Sequence, residues 1–303
     1  MEKRLTTTAM LFSVGFLFML VCAVGAFFYG VQIGSEKIEA KYAAAKEAEG
    51  GISESATPYQ QQDLVSFYLT VFSPYREFQS KWLSDMDALS RGGNLDAEAA
   101  FKSLAKLADK KVEESASFNM QKSPLLGEAQ IAYVRSLKLF KDAATKAAAA
   151  KTKDKAAIYK NVLADSNYKA AVKEALEAQK DYYHAMQQWA ATVDPKVPNT
   201  YKASGPLSAD KWKGLPLTVK NSIVVNYLKE RNELYEFYPH DLTSRVDDFI
   251  QSGQASKMKL QTANAIIDLL MNTRAVDPED FSAIKGRLYE SETLPQLPFF
   301  YPK

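Results

Sequence analysis

The chain has a single cysteine, Cys22, and two histidines, His184 and His240, in 303 residues. With no cysteine after position 22, the body forms no internal disulfide. That suits a bacterial envelope protein or a cytosolic body better than a secreted animal domain. No Asn-x-Ser/Thr sequon occurs, which also fits a bacterial source. Two histidines make a poor metal set. Asp181-Tyr-Tyr-His184 has the i, i+3 spacing of half a di-iron bundle site, but the second pair is missing. His184 therefore reads as a partly exposed polar residue beside a helix seam, and His240, after Pro239, as part of a turn.

Other chemistry is missing too. The sequence contains no Gly-rich phosphate loop, no His-Glu-x-x-His, no Gly-x-Ser-x-Gly and no calcium loop. Ser-x-x-Lys occurs at Ser103, Ser166, Ser208, Ser256 and Ser282, but the companion Lys-Thr-Gly does not, and five hits in a lysine-rich chain read as chance. Adjacent acids such as Glu113-Glu114 and Asp247-Asp248 read as solvated faces. The net charge is only +2, and no basic stripe interleaved with aromatics appears, which argues against a nucleic-acid partner. No cofactor, no metal and no catalytic group is expected, and the chain is read as a non-enzyme.

Charge is absent altogether from Leu5 to Ser35, between Arg4 and Glu36. A membrane span needs about 20 apolar residues at 1.5 Å rise, so this run predicts a transmembrane anchor over residues 9–33 behind a short tail, 1–8. Signal peptides have apolar cores of roughly 7–15 residues. Here Phe27, Phe28, Tyr29 and Val31 carry the run past the small-residue stretch Ala23-Val24-Gly25. Val21 departs from the small residue a lipobox places before its cysteine. The anchor is therefore read as uncleaved. Lys3, Arg4 and the α-amino group hold the N-terminus in the cytoplasm and place the body outside it.

After the anchor the sequence predicts an all-α chain. Residues 34–57 form a helical stalk rich in Ala, Lys and Glu, then a Gly-Gly linker. Residues 58–193 form an antiparallel helical bundle. Its first helix carries the stripe Leu64, Tyr68, Val71, Tyr75, Phe78, Trp82 and Leu89, with Asp85 at one seam position and a kink at Ser73-Pro74. Asp96 caps the second helix, and Ser123-Pro124 starts the third, whose face is Ile131, Val134, Leu137, Phe140, Ala144 and Ala147. The stretch Ala143 to Lys155 has little to bury and projects past the core. The fourth helix keeps a 4-3 alternation from Tyr168 to Val193. A Pro-rich linker, 194–206, precedes a smaller all-α domain, 207–303. Its predicted helices are Leu217–Phe237, Leu242–Ser252 capped by Asp241, Lys257–Asn272, and one opened by Asp277-Pro-Glu-Asp280. The tail Leu294–Pro302 folds back as a strap, because exposed Phe299-Phe300-Tyr301 would be an unusual apolar patch.

Together these features point to a membrane-anchored, extracytoplasmic helical binding or structural module of a bacterial envelope. Its partners are the membrane and either another protein or itself. A ligand-sensing bundle that signals through a partner is the alternative, with Tyr68, Tyr75, Trp82, Tyr182, Tyr183 and Trp189 as candidate pocket rings. An enzyme with an unrecognised site is the third reading. Within the anchor, Cys22, Ala26, Gly30 and Gly34 recur every four residues and form one small-residue ridge, a candidate transmembrane interface. In a membrane association reporter, Gly30→Ile should sharply weaken pairing while Leu17→Ile leaves it intact. Equal signals from the two variants would show that the ridge is not an interface.

Overall fold

The computed structural model describes residues 58–117, 120, 123–202 and 205–301, within the compact unit Thr57–Lys303. The charge-free run, the stalk and the ridge Cys22, Ala26, Gly30 and Gly34 lie outside the described residues. Among the described residues, no helix is long and apolar enough to cross a membrane.

The described chain is all-helical, apart from one isolated antiparallel bridge, Ser208–Thr262. The bundle begins with α1 (Gln61–Phe67), which passes through a π-helical turn, Tyr68–Phe72, into α2 (Ser73–Ser90). The expected kink at Ser73-Pro74 is this turn. Pro74 has no N–H to donate, and just before it the Ser73 N–H reaches back five residues to the Tyr68 carbonyl. Then come α3 (Ala97–Ala116), α4 (Pro124–Ala148), α5 (Lys155–Ala164) and α6 (Ser166–Val193).

Caps set these boundaries. Asp96 accepts from the Ala99 N–H at 3.1 Å, and Asp165 accepts from Asn167 and Tyr168 at 2.8 and 3.1 Å. Ser123 starts α4 without a capping bond; its hydroxyl donates instead to the Pro58 carbonyl and ties the two chain segments at that end. The opposite end is tied by Lys155 Nζ, which donates to the Gly93 carbonyl at 2.5 Å.

The third face differs from expectation. Leu137, Phe140 and Ala144 are buried as expected, but Ile131 is 47% exposed and Val134 only half-buried, and Ala129, Ala132, Tyr133 and Ser136 turn inward instead. The reason lies in Tyr133 and Ser136. Tyr133 packs on Tyr75 with ring centroids 4.2 Å apart, and the Ser136 hydroxyl donates to the Ala171 carbonyl at 2.8 Å while meeting the Tyr75 hydroxyl at 3.0 Å. A large ring and a satisfied hydroxyl outcompete an isoleucine for the seam. Val193, expected inside, is 49% exposed at the end of α6.

Beyond the bundle lie α7 (Ala209–Lys213), α8 (Leu217–Arg231), α9 (Pro239–Gln251), α10 (Gln254–Lys257), α11 (Ala263–Asn272) and α12 (Asp280–Leu288). Two expected helices are shorter than the pattern suggested. Asn232 takes a left-handed conformation, φ 55°, and stops α8 six residues early. Lys259, φ 56°, splits the Lys257–Asn272 stretch, and Thr262 recaps α11 through the Ala265 N–H. Asp241 stands three residues inside α9, where it accepts from the Tyr238 N–H at 2.7 Å.

The first turns of α8 are buried on every side, from Leu217 to Ser222. That includes the charge of Lys220, whose Nζ lies 3.0 Å from both Asp247 oxygens on α9. Trp212 Nε1 donates to the same carboxylate at 2.7 Å and the Tyr289 hydroxyl at 2.5 Å. One carboxylate thus joins α7, α8, α9 and the segment after α12. Removing one partner of a buried pair strands the other charge and costs about 3–5 kcal/mol. Asp247→Ala should therefore lower unfolding stability by about that much in denaturant titration, whereas Asp210→Ala, on an exposed pair, should change it by well under 1 kcal/mol.

Candidate functional site

The strongest convergence of side chains in the described chain surrounds His240. It enters from the first turn of α9, whose start is set by Pro239 and by the Asp241 carboxylate on the Tyr238 N–H. The Asp241 carboxylate also accepts from the Phe281 N–H at 3.0 Å, which brings α12 against α9. From α6 comes Tyr183, its hydroxyl 2.8 Å from His240 Nδ1. From the tail come Phe299 and Phe300.

The imidazole is 1% exposed and lies among rings. Tyr238 stacks on it at 5.1 Å between centroids and Phe299 at 4.8 Å; Phe300 and Phe281 meet it at 4.9 and 5.1 Å. Arg76 places its guanidinium 4.4 Å over the Tyr238 ring and donates to the carbonyls of Tyr235 and Glu236. The tail is thus docked, as expected: Phe300 is fully buried, and Lys285 Nζ holds its carbonyl at 2.7 Å. Beside this cluster lies a crevice of about 460 Å³ lined by Tyr68, Tyr238, His240, Asp241, Glu279, Ser282, Pro298 and Phe299. Glu279, at its edge, has φ 74°, a left-handed conformation that strains a residue with a Cβ.

Electrostatics follow from burial. Desolvation, with the nearby Arg76 charge, holds His240 well below the ordinary imidazole value, so it stays neutral. Desolvation pushes Asp241 up to about 6, against the pull of its two backbone N–H donors.

The remaining residues singled out above fall elsewhere. Of the candidate pocket rings, Tyr68 lines the crevice and Tyr183 meets His240, whereas Tyr75, Trp82, Tyr182 and Trp189 are buried within the bundle. His184 is half-buried on α6 and faces Asn226 of α8. Among the described residues, no cluster of three or more His, Cys, Asp or Glu could hold a metal ion. Of the serines in Ser-x-x-Lys, Ser208 caps α7, and Lys285, the partner of Ser282, is engaged by the Phe300 carbonyl. The His240 cluster was hidden from sequence because its members lie at positions 76, 183, 238–241, 281 and 299–300; only the unusual Phe299-Phe300-Tyr301 run hinted at a partner.

A second concavity, an open groove of about 960 Å³, runs between α8 and α11, with Ile223, Tyr227, Ala265 and Ile267 on its walls and Asn226, Glu230 and Asp268 among them. Comparison with protein-family models, curated proteins and solved structures gives no match.

The His240 burial carries a pH signature. A depressed folded pKa means that the unfolded chain takes up the proton first. The contribution is therefore complete above about pH 6.5 and falls as pH drops below it, at up to about 1.4 kcal/mol per unit. Asp241 acts oppositely, its contribution being lost as pH rises through about 6. The His240→Asn variant retains Asp241, so its stability relative to the native chain isolates the histidine. Between pH 7.5 and 5 the native chain should lose about 2 kcal/mol relative to the variant in denaturant titrations; parallel pH profiles would show that His240 is not buried neutral.

Proposed function

We propose that the chain is a membrane-tethered helical binding or structural module on the outer face of a bacterial membrane. The observation that carries this reading is the charge-free run from Leu5 to Ser35, long enough for an anchor, ahead of a folded all-helical body. Support for binding over catalysis comes from the state of the buried polar groups. Asp247 accepts four bonds from three donors, Asp241 two from backbone N–H groups, and His240 has a hydroxyl and a shell of rings. Groups so engaged hold structure. The lysines and tyrosines that give them their bonds would have to be pulled out of the core to serve a reaction.

A ligand-sensing role is a second reading, favoured by the aromatic crevice at Tyr68, Tyr238 and Phe299. In it, an apolar ligand would bind against the strap and report its presence to a partner protein.

Two measurements test the tether. The protein should stay with membranes through alkaline carbonate extraction. Protease added to intact spheroplasts should remove the body. Release by carbonate would overturn the anchor, and protection of the body until the membrane is breached would reverse the orientation.

A further inference from the structure

We propose that the end of the bundle farthest from Pro58 is a docking surface for an anionic lipid bilayer. This end is formed by the α2–α3 connection, the C-terminus of α4, α5 and the first turns of α6. It is set off from Pro58 by α1 and α2, some 30 residues of helix or about 45 Å. The inference rests on the described residues and is independent of the tether.

Charge is unevenly distributed along this chain. Residues 138–173 hold nine lysines against three acids, Asp142, Asp154 and Asp165, while the whole chain is only +2. The acids at this end keep their charge and are outnumbered by the lysines; Asp142 is exposed without an ion-pair partner among the described residues, and the others are held in caps and pairs. Asp154 caps α5 by accepting from the Ala156 N–H at 3.0 Å. Asp165 caps α6 and pairs with Lys146 at 2.6 Å. On the neighbouring helices, Asp87 pairs with Arg91, Asp96 caps α3, and Glu98 pairs with Lys102. Glu233, which approaches Tyr168 from the segment after α8, accepts the Tyr235 hydroxyl at 2.6 Å. What is left is positive: Lys151, Lys153, Lys160 and Lys169 are exposed and have no ion-pair partner among the described residues. Lys173, a turn further on, is exposed as well.

The kind of charge selects the partner. Lysine is a hydrated point charge without the planar fork that reads a carboxylate or a base edge, and the one arginine here, Arg91, is already paired. A protein interface would be expected to offer tryptophan, tyrosine or arginine anchors. At this end Tyr168 is stacked on Trp82, and alanines fill much of the surface between the lysines. A nucleic acid would call for aromatic stacking platforms as well as charge. A diffuse cluster of lysines around small residues matches the smeared negative charge of a headgroup layer. Two apolar features accompany it. Leu163 is 37% exposed, and a crevice of about 400 Å³ lies between α4 and α5, lined by Ala143, Ala147, Ala150, Ile158 and Val162 together with Lys146 and Asp165.

The test uses full-length protein carried in neutral phosphatidylcholine nanodiscs, so that its apolar run is shielded from the acceptor. Acceptor vesicles contain either phosphatidylcholine alone or phosphatidylcholine with about 30 mol % phosphatidylglycerol, and binding is read by co-flotation. The expected result is binding to the anionic vesicles only, lost at high salt. Replacing Lys151, Lys153, Lys160 and Lys169 together with glutamine should weaken it on the order of a thousandfold, and replacing them with arginine should preserve it. All four are exposed, so the circular dichroism of both variants should match the native chain. Equal binding to neutral vesicles, no binding to either, or undiminished binding by the glutamine variant would overturn the proposal. Capture of polyglutamate without binding to anionic vesicles would overturn it in favour of an acidic protein partner.

Discussion

Lys220 is only 6% exposed, a buried ammonium needs a partner to offset its lost hydration, and the C-terminal half supplies a carboxylate beside it. Lys220 sits in the first turns of α8, a helix with no solvent face over that stretch. Its partner Asp247 must come from α9, and the carboxylate's remaining capacity is taken by Trp212 and Tyr289. These bonds fix the relative position of four segments, three of which also meet in an apolar core through Trp212, Val224, Leu228, Leu242 and Val246. Desolvation and the neighbouring Asp247 hold the Tyr289 hydroxyl far above its ordinary value, so it remains a donor throughout the physiological range. The helix that carries Lys220 also buries the side-chain oxygens of Thr218, Asn221 and Ser222 without a protein partner among the described residues. Each such group costs about 1–3 kcal/mol, which the well-satisfied network beside them must offset.

The same helix connects the two sets of buried apolar residues. Leu217, Val219 and Val225 pack into the core of the bundle, while Val224 and Leu228 pack into the second core with Leu242, Val246 and Ile266. The strap completes the first of these. Leu294, Leu297, Phe299 and Phe300 join residues of α1, α6 and α9, and His240 is the polar atom pair around which the rings close. A neutral imidazole suits this place because it fills the space of a ring and still answers the Tyr183 hydroxyl.

Much of the fold was legible in the sequence, because local signals act locally. Asp96 caps where an acid before a helical run should, and apart from the half-buried Tyr68 the stripe from Leu64 to Leu89 is buried. Tertiary context overrides pattern elsewhere: periodicity places Ile131 on the seam, yet Tyr133 and Ser136 occupy it through contacts with Tyr75 and Ala171 that no periodicity reveals. The π turn replaced a simple proline kink because the backbone rearranged before Pro74 rather than at it. Asn232 and Lys259 end helices in left-handed conformations that composition alone does not mark. Asp247 was read as part of a solvated acidic face and is instead the most heavily bonded carboxylate of the C-terminal half, since its partners stand 27 to 42 residues away. The His240 cluster was illegible for the same reason.

Contributing to both apolar cores, α8 should make the bundle and the C-terminal helices one cooperative body. Native-state hydrogen exchange of the full chain, followed by mass spectrometry across a denaturant series, tests it most directly. The slowest amides of α6, in the bundle, and of α9, beside Asp247, should converge on a common opening free energy as denaturant rises, and Asp247→Ala should lower both together. Exchange of α9 through an opening that leaves α6 fully protected, with the substitution felt in α9 alone, would contradict it.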